Sequence, residues 1–130
     1  MNSEKQRGDM AERPHKKLDA WKKSIELTVK IYELTGKLPK AEQFGLVSQM
    51  RRASVSIGSN ISEGAARNTK KEFLQSLYIA QGSLSELDTQ IIICYELGYI
   101  SDQDVKLIDS EIESEGKLIS GLIRYLKKQS

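Results

Sequence analysis

The chain has one cysteine, one histidine and two prolines in 130 residues. A lone cysteine excludes an internal disulfide. Cys94 stands in the apolar run Ile91-Ile92-Ile93-Cys94-Tyr95 and reads as a small buried hydrophobe rather than a reactive thiol. A single histidine, His15, leaves little room for a Ser-His-Asp arrangement and none for a Cys/His zinc cluster. There is no Glu-x-x-His pair for a di-iron bundle, no Walker loop and no Gly-x-Gly-x-x-Gly. Glu111, Glu113 and Glu115 read as a solvated helix face. The expectation is a protein without catalytic residues, metal or cofactor, and no small-molecule substrate is identified.

Long hydrophobic runs are also missing. No stretch approaches the ~20 apolar residues of a membrane span. Residues 1–13 are polar, with no apolar segment of the secretory kind, so the cytoplasm is the expected compartment.

What the chain does have is helical periodicity. Residues 1–14 lack it, contain Gly8 and Pro14, and read as a disordered tail; residues 15–130 read as one domain. A first helix is expected from about Asp19 to Thr35, with Leu18, Trp21, Ile25, Thr28 and Tyr32 as its stripe and Leu27, Ile31 and Leu34 widening it. A second is expected from about Lys40 to Gly64, with Leu46, Met50, Ala53, Ile57 and Ile61 inward. Gly58 in its middle costs about 1 kcal/mol relative to alanine and points to a bend or a close helix contact.

The third helix opens at Thr69-Lys70-Lys71-Glu72, read as a capping box. Phe73, Leu77, Ala80, Leu84, Leu87, Ile91 and Cys94 then alternate steps of four and three, up to a stop at Gly98. The fourth starts after Ser101 and carries Val105, Ile108, Ile112, Ile119, Leu122 and Leu126, a seam interrupted by Glu115. Connections of about three to five residues make neighbours antiparallel. The fold class is therefore all-α, an antiparallel up-down-up-down four-helix bundle.

Charge is unevenly spread. Residues 15–71 hold twelve Lys/Arg against five Asp/Glu, and residues 72–130 hold five against ten. The basic half supplies Lys16, Lys17, Lys22, Lys23, Lys30, Arg51, Arg67, Lys70 and Lys71, a candidate surface for the phosphates of RNA or DNA. An ordinary solvated face is the competing reading.

On the third helix, Tyr78, Ile79, Ile92 and Ile93 fall opposite the core seam, with Ser85 and Glu86 between them. In water they would form an apolar stripe, which marks either an interface between copies or neighbours that wrap further round than a simple seam implies.

The second helix holds an unusual polar block, residues 49–64, rich in Ser and Asn that compete with helical hydrogen bonding. Arg52, Ser56, Asn60 and Glu63 are its prominent members, and a contact from Arg52 to Glu63 or Glu86 would account for the charges. The block serves either close packing with internal hydrogen bonds or a surface for a ligand or partner.

The same block resembles the signature of the 23S rRNA intervening-sequence protein family. The resemblance rests on Arg52-Ala53, Ser56-Ile57, Asn60-Ile61 and Glu63-Gly64, then Glu72-Phe73, Leu77, Ala80, Gly82-Ser83 and Glu86-Leu87. Upstream it includes Leu18, Trp21, Leu27, Tyr32 and Phe44-Gly45-Leu46, and it spans about residues 16–126 without gaps. The chain departs from it at Gly58, where proline is usual, and at Ser62, where alanine is usual.

The resemblance implies a four-helix bundle that assembles into a ring-like homopentamer, in a bacterial family encoded within insertions in large-subunit rRNA genes or elsewhere. A group similar in fold, the accessory proteins of diversity-generating retroelements, binds nucleic acid and a reverse transcriptase. The leading expectation is a non-enzymatic oligomeric scaffold that contacts RNA or DNA through a basic face. A pure protein–protein interaction module without nucleic-acid binding is the alternative.

Overall fold

A computed structural model describes residues 13–129. The expected tail lies outside the described residues except for Arg13 and Pro14. Pro14 already opens a 3₁₀ turn, Pro14–Lys17, which packs across the end of the bundle. Four helices follow: α1 (Asp19–Thr35), α2 (Leu46–Ala65), α3 (Lys70–Glu96) and α4 (Asp102–Lys128). No strand occurs among the described residues, and none of the helices is long and apolar enough to cross a membrane.

Each helix packs on its chain neighbours, and α1 closes the ring against α4; the diagonal pairs do not meet. Direction follows from the cross-contacts. On α1 and α2, Ser24 faces Gly58 and Thr28 reaches the Ser54 carbonyl. On α2 and α3, Met50 meets Cys94, Ser56 meets Ser83 and Gly64 meets Ser76. On α3 and α4, Gln81 meets Ser120 while Leu84 lies against Gly116. Numbers rise on one helix as they fall on the next, so neighbours are antiparallel.

Helix starts are set by side chains. Ser101 and Asp104 form a full capping box at α4, each side chain accepting from the other's backbone N–H. Thr69 does half of this at α3. Its hydroxyl accepts from the Glu72 N–H at 3.2 Å but donates to the Glu72 carboxylate, so the reciprocal bond expected from sequence is not made. Gly98, at φ +81°, makes the turn that ends α3, a conformation glycine adopts without steric cost.

Two expectations change here. The second helix begins at Leu46, not Lys40, because residues 40–42 form a separate 3₁₀ turn. Glu42 fastens this longer connection. One of its carboxylate oxygens accepts from the Leu46 N–H, and the other accepts from the Tyr99 hydroxyl at 2.9 Å. Gly64 is not the stop of α2, which continues to Ala65; it is a packing residue. A Cβ there would lie 2.7 Å from Ser76 Cβ and 2.9 Å from Phe73 Cδ1. Gly64→Ala should therefore lose about 1–2 kcal/mol, overpacking outweighing the helix propensity gained. An unfolding midpoint equal to or above that of the parent would contradict this packing.

The core takes Leu27, Ile31 and Leu34 from α1, with Met50, Ala53, Ile57 and Ile61 from α2. From α3 it takes Leu77 through Cys94 at the expected spacing, and from α4 Ile108, Ile112, Ile119, Ile123 and Leu126. The stripe expected for α1 is displaced. Ile25 and Tyr32 are roughly half exposed, and the line widening the stripe is the true core face. The reason is the small-residue strip. Buried Ser54 and Gly58 let α1 approach α2 through Ser24 and Thr28, which turns Ile25 and Tyr32 outward, while Trp21 stays partly buried against the core.

Candidate functional site

The sequence singled out three groups of residues, and the bundle treats each differently. The basic residues of α1 are largely neutralised. Lys23 and Lys30 both bind the carboxylate of Glu111, Lys23 at 2.7 Å, and Lys37 binds Asp104 at 3.0 Å. These hydrogen bonds hold the Glu111 and Asp104 carboxyls below their ordinary values and raise Lys23. Arg51 is also occupied. It donates to Thr35 Oγ1 and the Tyr32 carbonyl and stacks 4.4 Å from the Tyr32 ring centroid, covering the C-terminal end of α1. Lys17 and Lys22 remain exposed, and Lys16 lies in the Pro14–Lys17 turn. Arg67, Lys70 and Lys71 are exposed on the link from α2 to α3.

Folding re-sorts the charges. The antiparallel topology brings the start of α1, the α2–α3 link and the last turns of α4 to one end. Arg124, Lys127 and Lys128, absent from the sequence-derived set, join Lys17, Lys22, Arg67, Lys70 and Lys71 there, against Asp19, Glu63 and Glu72. Lys127 lies 5.6 Å above the Tyr78 ring, which fixes the two ends beside each other. The contrast between sequence halves thus becomes one basic end. A reader of the sequence could have found it by placing the fourth helix antiparallel to the third.

The polar block is a hydrogen-bonded seam between α2 and α3. The Ser56 and Ser83 hydroxyls lie 2.8 Å apart, and Asn60 Nδ2 donates to both the Ser56 carbonyl and its hydroxyl. Packing therefore accounts for Ser56 and Asn60. It does not account for the charges. Arg52, Glu63 and Glu86 are exposed, and the expected contact of Arg52 with Glu63 or Glu86 is not made. Eleven steps of one helix separate Arg52 from Glu63, about 16 Å of rise, beyond the reach of a pair on that helix. Glu86 instead accepts from Gln90, whose own carbonyl oxygen is buried without a partner.

The apolar residues of α3 are exposed as expected, Ile79 at 50% and Ile92 at 53%. They form two lines rather than one. Ile79 and Ile93 flank the α2 side with Glu86, whereas Tyr78 and Ile92 lie toward α4. Sequence reading missed a second apolar surface on the α1–α2 seam, where Trp21, Ile25 and Val55 line a shallow groove of ≈ 190 Å³. Ile25 had been absorbed into the core stripe and Val55 passed over, whereas Trp21 does pack against the core edge.

The acidic cluster of α4 is not a solvated face. Only Glu113 fits that description, in an exposed i,i+4 pair with Lys117. Glu111 takes Lys23 and Lys30, and Glu115 is wholly buried with neither carboxylate oxygen hydrogen-bonded among the described residues. Burial raises its pKa to about 8, and the charge of Lys23 only partly offsets this. Cys94 is fully buried as well; desolvation raises its thiol to about 11, which removes it as a nucleophile at neutral pH. His15 stands edge-on to Trp21, ring centroids 5.1 Å apart.

These features match known proteins over most of the chain. Residues 16–121 fit the family model described as 23S rRNA-intervening sequence protein. A solved structure is similar at TM-score 0.75 and 25% identity, over 81% of this chain and 95% of that one; it is described as a protein with unknown function from the S23 ribosomal protein family of Bacteroides thetaiotaomicron VPI-5482. No curated protein matches. With the Ser56–Asn60 seam, the Phe73-to-Leu87 run and the bundle all in place across the matched region, the chain belongs to the 23S rRNA-intervening sequence protein family.

Proposed function

We propose that this chain is a non-enzymatic cytoplasmic scaffold that assembles into a homopentameric ring and carries RNA or DNA on its basic surface. The observation that carries the reading is the presence of two different exposed apolar faces on one protomer. One is the α1–α2 seam with Ile25 and Val55; the other is the outer face of α3 with Ile79, Ile92 and Ile93. A cyclic ring of five needs a heterologous contact between unlike surfaces, because a two-fold self-complementary patch closes at a dimer. Arg52, Glu63 and Glu86 are exposed, make no ion pair among the described residues, and are available to pair across such a contact.

Catalysis finds little support in the side chains. The one thiol is buried and raised, and Glu115, the one fully buried carboxyl among the described residues, is closed off from solvent. The test of assembly is the double substitution Ile79→Glu with Ile93→Glu. Charges on that face should reduce the sedimenting mass to that of one chain while circular dichroism stays helical. A double variant that keeps the parent's oligomeric mass removes this face from the interface and the reading with it.

A further inference from the structure

We infer that the nucleic-acid site is the basic end of the bundle, and that it takes a single-stranded segment with its phosphates on Lys70, Lys71 and Lys127 and a base on the Tyr78 ring. This rests on the nucleic-acid reading above and replaces the α1 face as its location. Charge is the first argument. Lys23, Lys30 and Lys37 are held by acids of α4, so the excess of the basic half is largely cancelled where it looked greatest. At the basic end the balance is opposite. Among the described residues, Arg67, Lys70, Lys71, Arg124, Lys127 and Lys128 make no ion pair, and Glu72 is engaged by Thr69. Unpaired lysines and arginines side by side neutralise successive phosphates and release their counterions.

Shape is the second argument. Lys70, Lys71, Leu74, Gln75 and Tyr78 line an open groove of ≈ 380 Å³, with Lys127 reaching over the ring from α4. Tyr78 is 45% exposed, and Tyr125, 60% exposed, stands beside Arg124 at the same end. Rings set among cations are what a splayed base uses, since every base has a π-face to stack. A duplex hides its bases and would leave the rings unused. An anionic membrane would use the cations, but it would not need a groove. The site also explains an observation the packing does not: Tyr78 departs from the Ile79–Ile93 line and takes its nearest cation from α4.

The experiment uses the full chain and a fluorescent 20-nucleotide oligouridine, with a duplex of equal length and vesicles of phosphatidylserine in phosphatidylcholine as parallel probes. Anisotropy is read at 50 and 200 mM salt. Lys70→Gln with Lys71→Gln and Lys127→Gln should weaken oligouridine binding at least tenfold at 50 mM. It should also flatten the salt slope by about 2, since each phosphate contact on a single strand contributes about 0.7. Tyr78→Leu should weaken the single strand several-fold and leave the duplex unchanged. Lys23→Gln with Lys30→Gln, at the two lysines held by Glu111, should change binding less than twofold. If the parent, with its oligomer intact, binds no probe at 50 mM, the nucleic-acid reading itself fails. If the parent binds and the Lys23–Lys30 pair loses affinity while the Lys70 set does not, the reading stands and this location is overturned. Tighter binding to vesicles or duplex than to oligouridine also overturns it.

Discussion

Glu115→Leu should stabilise the fold at every pH and by most above pH 8. Glu115 is 0% exposed, and both of its oxygens lack hydrogen-bond partners among the described residues. Even as a neutral acid, such a group costs about 1–3 kcal/mol in lost hydrogen bonds to water. Ionisation adds to this. The carboxyl titrates near 4.5 in the unfolded chain and near 8 in the folded one. Below pH 4.5 both states hold the proton, and no pH-dependent penalty exists. Between pH 4.5 and 8 the unfolded chain releases the proton while the folded chain keeps it, so stability falls as pH rises. Above 8 both are ionised and the penalty is constant. At about 1.4 kcal/mol per pH unit, the full span costs roughly 5 kcal/mol. Leucine has a similar volume and no charge to desolvate. Denaturant unfolding at fixed chain concentration should show the variant's advantage growing from pH 5 to pH 8. A constant difference would mean that Glu115 finds a partner in the folded state.

The opposite result is expected one contact away. Leu84 is 7% exposed and lies against Gly116, the residue that follows Glu115. Leu84→Ala should cost about 2–5 kcal/mol, from lost transfer energy and the cavity left behind. Gly116 has no side chain to move into that space, which places the cost toward the upper end. The unfolding midpoint in urea reads it directly, and an unchanged midpoint would put the α3 seam on the surface. Together the two substitutions separate a side chain the core needs from one it tolerates at a penalty.

The two residues also show what the sequence made legible. Leu84 sits in an unbroken four-three alternation from Phe73 to Cys94, and a one-sided seam has one solution. Glu115 lies in an equally regular seam, since 108, 112, 115 and 119 alternate steps of four and three. Its position indicated burial, but its chemistry and its neighbours Glu111 and Glu113 indicated solvent, and position won. The first helix was harder because it has two apolar lines. Which of them turns inward is decided by Gly58 and Ser54 on another helix, through contacts no local pattern contains.

The pairing of the basic residues was hidden for a related reason. Counting charge by sequence halves treats neighbours along the chain as neighbours in space. Antiparallel folding instead set Lys23 and Lys30 against Glu111 and carried Lys127 across to Tyr78. The Ser56–Asn60 seam was visible as an excess of small polar residues, and its partner Ser83 came with the third helix.

The central claim is that one protomer leaves two unlike apolar faces to be covered by copies of itself. Sedimentation equilibrium of the unmodified chain at micromolar concentration tests it most directly. The account predicts a single species at five times 14.7 kDa, with no concentration-dependent loss of mass over a tenfold dilution. A mass of 14.7 kDa under those conditions, with the helices intact, would contradict it.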